Sequence, residues 1–585
     1  MLKIFRYLKK KEWLMIAISM IFIVSQVWLD LKLPDYMSEI TKLIQTEGSK
    51  ISEVIAAGAK MLVCAVGSML MAVIVGYFAA KIAAGFAQRL RLLMFKKVTD
   101  FSMEEINRFS TASLITRSTN DITQIQMFIA MGLQVMIKAP ILAVWAICKI
   151  LGKSWQWTAA TGGAVAFLML IIAIVIIFAL PRFKVIQNLN DNLNRVTREN
   201  LTGIRVVRAY NAENYQQRKF EKANEELTEN HLFTGRVMSI MSPSMTIILS
   251  GISLAIYWIG AYLINKADMM NKINIFSDMV VFSSYAIQVI MAFTMLTMIF
   301  IMLPRAAVSA NRLNEVLNTK PKIIDGNKIP EGNEGTIEFR NVSFKYPDAA
   351  GYVLRNISFK ANKGDTVAFI GSTGSGKTTL VNLIPRFYDA TEGEVLVDGI
   401  NVKEYKLEEL NNKLGYVPQK AVMFSGTVSS NVAYGENGTD GYTEQNIRQA
   451  VDIAQGAEFV EKMENQYEAL IAQGGANISG GQKQRLAIAR AVCRKPEIYI
   501  FDDSFSALDY KTDRILRSAL KRETADVTSI IVAQRIGTIK DADQIIVLDN
   551  GEIAGAGTHS ELLKNCEVYK EIALSQLSKE ELENE

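Results

Sequence analysis

The sequence has little cysteine and almost no histidine. It holds four cysteines and two histidines in 585 residues. The cysteines divide evenly between apolar segments and the polar second half: Cys64, Cys148, Cys493 and Cys566. This scatter indicates no disulfide framework, so we expect a reducing compartment around the polar half.

A strong net charge is also missing. The formal net charge of +5 is small for this length, which argues against nucleic acid as a partner. Apolar residues are plentiful instead, at 50% of the chain with a mean hydropathy of +0.15. Nearly all of this excess precedes residue 305 or so, which predicts a membrane half followed by a soluble half.

Apolar runs in the first half are long enough to cross a bilayer. There are six, at about 13–29, 56–80, 128–151, 155–180, 238–264 and 275–303. Residues 1–12 are basic, which predicts a cytoplasmic N-terminus. A cleaved signal peptide is disfavoured, because the first run is long and residues 24–28 form a poor cleavage site. Six spans then place both termini in the cytoplasm of a multi-pass cell-membrane protein.

The connections between these runs differ in length. The external ones are modest, at about 30–55, 152–154 and 265–274, whereas the cytoplasmic ones, 81–127 and 181–237, are long and patterned like helices. Twenty helical residues extend about 30 Å. We therefore predict helical hairpins reaching into the cytoplasm, with tips near 101–107 and 209–215 that a soluble domain can grip. Solvated loops are the alternative.

Polar and methionine side chains mark two spans. Lys138, beside Pro140, serves either a polar path or helix pairing and snorkelling. Gln134, Gln288 and Asp278 are weaker candidates for such a path. The sixth span offers an adaptable apolar surface or ordinary packing through a set of methionines: Met291, Met295, Met298 and Met302.

Proline and glycine separate the two halves. Pro304 is expected to close the last span, and a Pro- and Gly-containing linker occupies 306–335. The membrane domain is thus assigned to 1–305 and the soluble domain to 336–572. An acidic, solvated tail is expected over 573–585.

One motif of the soluble half fits the phosphate-loop pattern G-x-x-x-x-G-K-[ST] without a mismatch. It comprises Gly371, Ser372, Thr373, Gly374, Ser375, Gly376, Lys377 and Thr378. An apolar β-branched run precedes it, and a helical run starting at Thr379 follows. The glycines let backbone N–H groups surround an anion, Lys377 can reach the outer phosphates, and the Thr378 hydroxyl can ligate Mg²⁺. This motif predicts ATP and Mg²⁺ as ligands.

A buried strand ends in the acids Asp502 and Asp503. Asp502 is predicted to hold Mg²⁺, usually through water. Asp503, at the next position, is predicted to orient or activate the attacking water.

A second anion site opens the helix before that strand. Ser479 suits an N-cap, and the glycines behind it expose backbone N–H groups. The site comprises Ser479, Gly480, Gly481 and Gln482. One nucleotide does not need two such loops, so we predict that this one touches the γ-phosphate of ATP held by another copy of the domain. Two domains would then sandwich two ATP molecules head to tail.

Six spans with long cytoplasmic loops, GSTGSGKT, ISGGQ and IYIFDD together resemble one half of an ATP-binding cassette exporter of the type I (type IV) fold. The resemblance covers about residues 13–572. It implies a membrane all-α six-helix transmembrane domain with long cytoplasmic helical extensions. An α/β P-loop nucleotide-binding domain with a small antiparallel β subdomain follows. By this resemblance Tyr346 stacks on adenine, Gln419 senses Mg²⁺, and residues 506–509 contact the opposite site.

Two positions depart from that family. Asp503 stands where the family has its catalytic glutamate, and Gln534 where it has its switch histidine; His231 and His559 lie too far away to substitute. The aspartate carboxylate sits further from the attacking water, and a misplacement near 1 Å can cost about a hundredfold in rate. Gln534 can donate a hydrogen bond but cannot become a cation. We predict ATP binding with slow hydrolysis; a normal site with tolerated substitutions is the alternative.

The signature departs only at Ile478, where leucine is usual, so it can complete a partner's site. A chain with an intact signature motif but a degenerate nucleotide site of its own resembles the degenerate subunit of heterodimeric bacterial multidrug exporters. This resemblance implies a different partner half with an intact glutamate and histidine, transport-coupled ATPase activity mainly at the partner's site, and amphipathic compounds or drugs as cargo. A self-sufficient homodimer and an ATP-gated channel or regulator remain alternatives. An importer is disfavoured, because fused spans and cassette are typical of exporters.

Overall fold

A computed structural model describes residues 2–46, 49–151, 154–330, 332, 334–435, 442–523 and 526–576. The chain divides into two compact units: Met1–Thr99 with Ala112–Thr319, and Asp100–Thr111 with Lys320–Glu585. Residues 577–585 of the predicted tail lie outside the described residues, and its first four complete a helix.

Long helices build the first unit. In chain order, the helices as far as residue 318 are α1 (Lys10–Gln45), α2 (Ile51–Thr99), α3 (Met103–Phe109), α4 (Thr111–Thr116), α5 (Ile122–Leu151), α6 (Trp155–Thr202), α7 (Ile204–Ala209), α8 (Glu213–Ser239), α9 (Met241–Lys266) and α10 (Met269–Asn318). Of these, α3 belongs to the second unit. A 3-10 helix (Leu2–Tyr7) precedes α1, and a π-helical turn (Arg117–Asp121) precedes α5.

Among the described residues, six helical stretches are long and apolar enough to cross a membrane. At 36 to 54 residues, they far exceed the roughly 20 residues that a bilayer core needs. The predicted fold class, six membrane helices with long helical extensions, is confirmed.

At two places the helices extend beyond the predicted ends of the spans. Most of the predicted 30–55 connection is helical, because α1 continues to Gln45 and α2 begins at Ile51. Pro304 does not close the last span but lies inside α10. A proline removes one backbone donor, and the packing of the neighbouring turns can hold a long helix together through it.

A bidentate ion pair fixes the start of the first unit. The Arg89 guanidinium on α2 donates to Glu12 Oε1 at 2.9 Å and Oε2 at 3.0 Å. It also donates to the Tyr7 carbonyl at 2.6 Å. Glu12 is buried, so this fork ties the 3-10 helix and the first turn of α1 to α2.

The second unit carries all the described strands. They are β1 (Ile337–Phe344), β2 (Leu354–Ala361), β3 (Thr366–Gly371), β4 (Glu392–Val397), β5 (Ile400–Asn401), β6 (Leu414–Val417), β7 (Gly426–Thr427), β8 (Leu470–Ile471), β9 (Ile498–Asp502), β10 (Thr528–Val532), β11 (Gln544–Asp549) and β12 (Glu552–Gly557). Its remaining helices are α11 (Lys377–Val381), α12 (Leu407–Asn412), α13 (Val428–Val432), α14 (Glu444–Ile453), α15 (Ala457–Glu461), α16 (Gly480–Cys493), α17 (Tyr510–Glu523), α18 (Ile536–Ile539), α19 (His559–Asn565) and α20 (Glu567–Gln576).

The strands form a small antiparallel sheet and a larger, mainly parallel one. The first has the order β2-β1-β4-β5, and the second has the order β12-β11-β3-β10-β9-β6. In the second sheet only β12 is antiparallel to its neighbour, at one edge. The central strands β3 and β9 are almost fully buried, as expected for parallel strands covered on both faces. The expected α/β domain with an antiparallel β subdomain is confirmed.

We predict that Arg89→Ala releases the N-terminal segment. Losing the fork leaves the buried Glu12 carboxylate unsatisfied, at a local cost of about 1–3 kcal/mol. Tryptic cleavage within residues 2–12 should accelerate, as measured by mass spectrometry of limited digests. Arg91→Ala is the matched control, because Arg91 is an exposed arginine of α2 that bonds Gln126. Equal cleavage of both variants would contradict this anchoring role.

Candidate functional site

The candidate site lies at one edge of the parallel sheet. Strands β3, β10, β9 and β6 are consecutive neighbours and run parallel, so their carboxyl ends meet. A residue predicted from sequence lies one or two positions beyond the end of each strand: Ser372 after β3, Gln534 after β10, Asp503 after β9 and Gln419 after β6. In open α/β sheets, ligands bind at this edge.

The phosphate loop joins β3 to α11. Gly374 and Gly376 have φ values of +88° and +97°, which side chains rarely adopt. Lys377 Nζ donates to the carbonyls of Gly371 at 2.9 Å and Ser372 at 2.7 Å. Burial lowers the pKa of Lys377, and the nearby carboxylates oppose this shift. The loop thus holds a buried ammonium group against neutral acceptors that an anion can replace.

A hydroxyl and a carboxylate stand beside the loop. Thr378 Oγ1 donates to Asp502 Oδ1 at 2.9 Å, and Asp502 is almost fully buried. Burial raises the pKa of Asp502, the Thr378 bond opposes this, and the charge of Asp503 adds to it. These hard oxygen donors suit Mg²⁺, which usually takes one or two carboxylates plus phosphate oxygens. No group of three or more His, Cys, Asp or Glu that could hold a metal occurs in the described ranges, so the nucleotide would supply the remaining ligands.

The two residues that depart from the family pattern contact each other. Asp503 Oδ2 accepts from Gln534 Nε2 at 2.8 Å and from Gln419 Nε2 at 3.4 Å. Asp503 has a φ of +47°, in the left-handed region that aspartate tolerates better than most residues. One carboxylate oxygen is therefore engaged by two side-chain amides.

Sequence reasoning missed Gln576. Its Nε2 donates to the Gln534 carbonyl at 2.8 Å, and its Oε1 accepts from the Ile536 backbone N–H at 2.9 Å. This residue at the end of α20 thereby brackets the loop that presents Gln534. It lies far along the chain in no recognised motif, so no sequence signal marks it.

Sequence reasoning also missed Tyr388, whose partner Asn107 belongs to the predicted tip near 101–107. The Tyr346 hydroxyl lies 3.1 Å from Thr379 Oγ1, and its ring meets Tyr388 edge-on with centroids 5.3 Å apart. The Tyr388 hydroxyl accepts from Asn107 Nδ2 at 3.0 Å. Burial raises the pKa of Tyr388. Tyr388 therefore connects Tyr346, the predicted adenine-stacking residue, to α3, which lies at the tip of the first predicted hairpin.

The second predicted anion site lies elsewhere in this unit. Ser479 caps α16 as expected: its Oγ accepts from Gln482 N at 3.3 Å, and Gln482 Oε1 accepts from Ser479 N at 2.9 Å. Ser479 and Gly480 are exposed. Within the described ranges, no hydrogen bond or ion pair joins 479–482 to 371–378. A neighbouring molecule could therefore approach the start of α16, whose first two residues are Gly480 and Gly481.

The sequence matches models of two families. Residues 16–293 match the ABC transporter transmembrane region, and residues 354–506 match the ABC transporter domain. An uncharacterized ABC transporter ATP-binding protein of Mycobacterium tuberculosis (strain CDC 1551 / Oshkosh) is 40% identical over 572 residues, covering 96% of each chain. The ATP-dependent lipid A-core flippase of Haemophilus influenzae (strain 86-028NP) is 32% identical over 507 residues, covering 86% of this chain and 84% of that protein.

A solved structure has the same fold. It is a bacterial Atm1-family ABC exporter with ATP bound, with a TM-score of 0.81 at 22% sequence identity. The match covers 97% of this chain and 99% of that one.

We predict that Tyr346→Leu weakens ATP binding about tenfold, the usual effect of losing one aromatic stacking partner. Tyr346→Phe should bind like the wild type, because the ring is retained. Isothermal titration with ATP measures both. Tyr352→Leu is the control, since Tyr352 is an exposed tyrosine bonded to Glu392. Unchanged affinity in Tyr346→Leu, or an equal loss in the control, would refute the stacking role.

Proposed function

Because this chain belongs to the ABC transporter family of exporters, we propose that it is the degenerate half of a heterodimeric ATP-driven exporter. It binds ATP at a poorly hydrolysing site and completes the competent site of a different half-transporter. Both halves act together in the cell membrane, with their termini in the cytoplasm.

The hydrogen bond between Asp503 and Gln534 carries this proposal. A competent site needs a carboxylate that reaches the attacking water and a side chain that can carry positive charge toward the γ-phosphate. Here the carboxylate is one methylene short, and one of its oxygens already accepts from Gln534 at 2.8 Å. The amide that engages it stays neutral. Both changes act in the same direction, toward binding without efficient hydrolysis.

Nucleotide binding needs only the intact parts of the site. The phosphate-loop N–H groups and Lys377 bind the phosphates, Tyr346 stacks on adenine, and Thr379 orients the Tyr346 ring. Thr378, Gln419 and Asp502 hold Mg²⁺. When bound, Mg²⁺ neutralises charge on the phosphate oxygens.

The exposed start of α16 contributes to the partner's ATP site. Its N–H groups and the Ser479 hydroxyl bind the γ-phosphate of ATP held by the partner's phosphate loop. ATP binding closes the two soluble domains, and hydrolysis at the partner's site reopens them.

The contacts of α3 support a route from this motion to the membrane. Tyr346, Tyr388 and Asn107 form a continuous chain of contacts within the second unit. Glu105 Oε1 also accepts from the Lys322 backbone N–H at 3.1 Å, which holds α3 against the segment leading into the soluble domain. Movement of the nucleotide domain therefore pulls on α3 and, along the chain, on α2 before it and on α4 and α5 after it. The spans then switch from inward- to outward-facing.

The proposed cargo is an amphipathic small molecule. Relatives about 30% identical to this chain are named lipid A-core flippases, and such lipids are amphipathic. The half-exposed methionines on α5 and α10 support an adaptable apolar surface.

We predict that the chain purified alone in lipid binds ATP but turns it over far below about 1 per second, the low end of ordinary enzymes. The double variant Asp503→Glu/Gln534→His should be faster by about tenfold or more, because it restores reach and charge together. A phosphate-release assay measures both. Brisk turnover by the wild type alone would instead indicate a self-sufficient homodimer.

In the complex with its partner, Ser479→Ala should reduce ATP turnover more than Asp503→Ala. Ser479 contributes to the competent site, whereas Asp503 belongs to the slow one. Thr443→Ala is the matched control, because Thr443 caps α14 with the same reciprocal bonding but lies outside the nucleotide motifs. It separates the roughly 1 kcal/mol cost of losing an N-cap from a catalytic effect. Equal losses from Ser479→Ala and Asp503→Ala, or the reverse order, would contradict the site assignment.

A further inference from the structure

The segment that leads into α1 carries five basic side chains, and all of them are exposed: Lys3, Arg6, Lys9, Lys10 and Lys11. Glu12 is the one acid among residues 2–12, and the Arg89 guanidinium balances its charge. In the described part of the chain, no salt bridge engages any of the five basic side chains. Their positive charges therefore remain available to an anion from outside the chain.

The fold holds this basic segment in place. Ile4 in the 3-10 helix is fully buried. Arg6 Nη2 donates to Asn318 Oδ1 at the end of α10, at 2.6 Å, and Arg89 holds the Tyr7 carbonyl. Setting the direction of insertion into a membrane requires only that the basic residues be present in the sequence. Their anchored arrangement indicates a further contact that they make in the folded protein.

The basic segment is continuous with an exposed stripe of α1. The opposite face of this helix is buried and runs from Glu12 to Val27. Side chains three or four residues apart share one face of a helix. On the exposed face they are Lys10, Trp13, Leu14, Ala17, Ile21, Val24 and Trp28. Beyond Lys10 the stripe has no charged side chain, so in a bilayer it contacts acyl chains.

Trp13 marks the level of the membrane surface on this stripe. Tryptophan is enriched where the acyl region of a bilayer meets the headgroups. Lys10 precedes Trp13 by three residues, which is about 4.5 Å along a helix. Lys9 and Lys11 are its neighbours in the chain. These ammonium groups therefore lie at headgroup level, beside the apolar stripe, and the two regions together match the head and the tails of one lipid.

We propose that the exposed basic side chains of residues 3–11, the N-terminal basic patch, bind an anionic phospholipid of the adjoining leaflet. The lysine ammonium groups contact the headgroup phosphate, and the acyl chains lie along the exposed stripe of α1. Phosphatidylglycerol is favoured over phosphatidylcholine, because each basic residue near a membrane surface attracts a lipid with net negative charge. This interaction lies beyond the proposed transport function and does not depend on the nucleotide site.

A photo-crosslinker on the stripe identifies the lipids beside the patch. Leu14→p-benzoylphenylalanine is introduced into the full chain, in nanodiscs with equal amounts of phosphatidylglycerol and phosphatidylcholine that have the same acyl chains. Mass spectrometry of the lipid adducts after illumination gives the ratio of the two lipids. This ratio should be about fivefold higher than at a reference position, which is the effect of one basic residue near an anionic membrane.

The reference position is Leu254→p-benzoylphenylalanine. Leu254 is exposed on α9, within a stretch, 241–265, that contains no charged residue. Nanodiscs hold the same lipids in both leaflets, so the direction in which the chain is inserted does not affect the comparison. Equal ratios at Leu14 and Leu254 would overturn the proposal.

Charge variants in the Leu14 crosslinking chain test the patch itself. Lys9→Gln/Lys10→Gln/Lys11→Gln should lower the ratio to the reference value, whereas the corresponding triple arginine variant should retain the enrichment. The matched control removes three exposed lysines of the second unit, Lys360→Gln/Lys363→Gln/Lys495→Gln, and should leave the ratio unchanged. Retained enrichment in the first triple variant, or an equal loss in the control, would refute the role of the patch.

Salt gives the same test without a substitution, should the triple variant fail to fold. Sodium chloride near 1 M shortens the screening length to about 3 Å and should abolish the enrichment. Enrichment that persists in this salt would contradict a charge contact. A free anion is the other possible occupant: if inorganic phosphate removed the enrichment at constant ionic strength, the patch would bind soluble phosphate and not lipid. These assays use no nucleotide, so their failure is distinguishable from failure of the degenerate-site proposal.

Discussion

The parallel pairing of β3, β10, β9 and β6 is the constraint on which the nucleotide site depends. Parallel strands end at the same edge of a sheet, so four short loops far apart in sequence meet there. The phosphate loop, Gln534, Asp503 and Gln419 occupy these loops. Their side chains then interact because the backbone has already brought them together, as the 2.8 Å contact between Gln534 and Asp503 shows.

Because of this contact, Asp503 and Gln534, the two residues that depart from the family pattern, form a single structural feature. A histidine and a glutamate in these places could act on a phosphate and a water separately. An aspartate and a glutamine bond each other, and Gln576 holds the loop behind Gln534 in place. Hydrogen bonds therefore hold the pair in one arrangement.

In the membrane half, backbone polar groups and charged side chains must also find hydrogen-bonding or ionic partners. A helix that crosses a bilayer must bond its own backbone, and α10 is a single helix of 50 residues that contains Pro304. Charged side chains must find partners, and Lys138 and Lys149 pair with two aspartates of α1. These pairs join α5 to α1 within the first unit.

Sequence alone determined the two halves, the six spans, the phosphate loop and the helix cap at Ser479. Each depends on residues that are neighbours along the chain: an apolar run, a glycine pattern, a serine before a helix. It also gave the identities of Asp503 and Gln534 and their chemical shortcomings. Tertiary structure decided which side chains touch. The Asp503–Gln534 bond, the Gln576 bracket, the Tyr388–Asn107 contact and the Asp30–Lys138 pair all join residues distant in sequence. No local pattern encodes them, because strand order and helix packing alone set these distances.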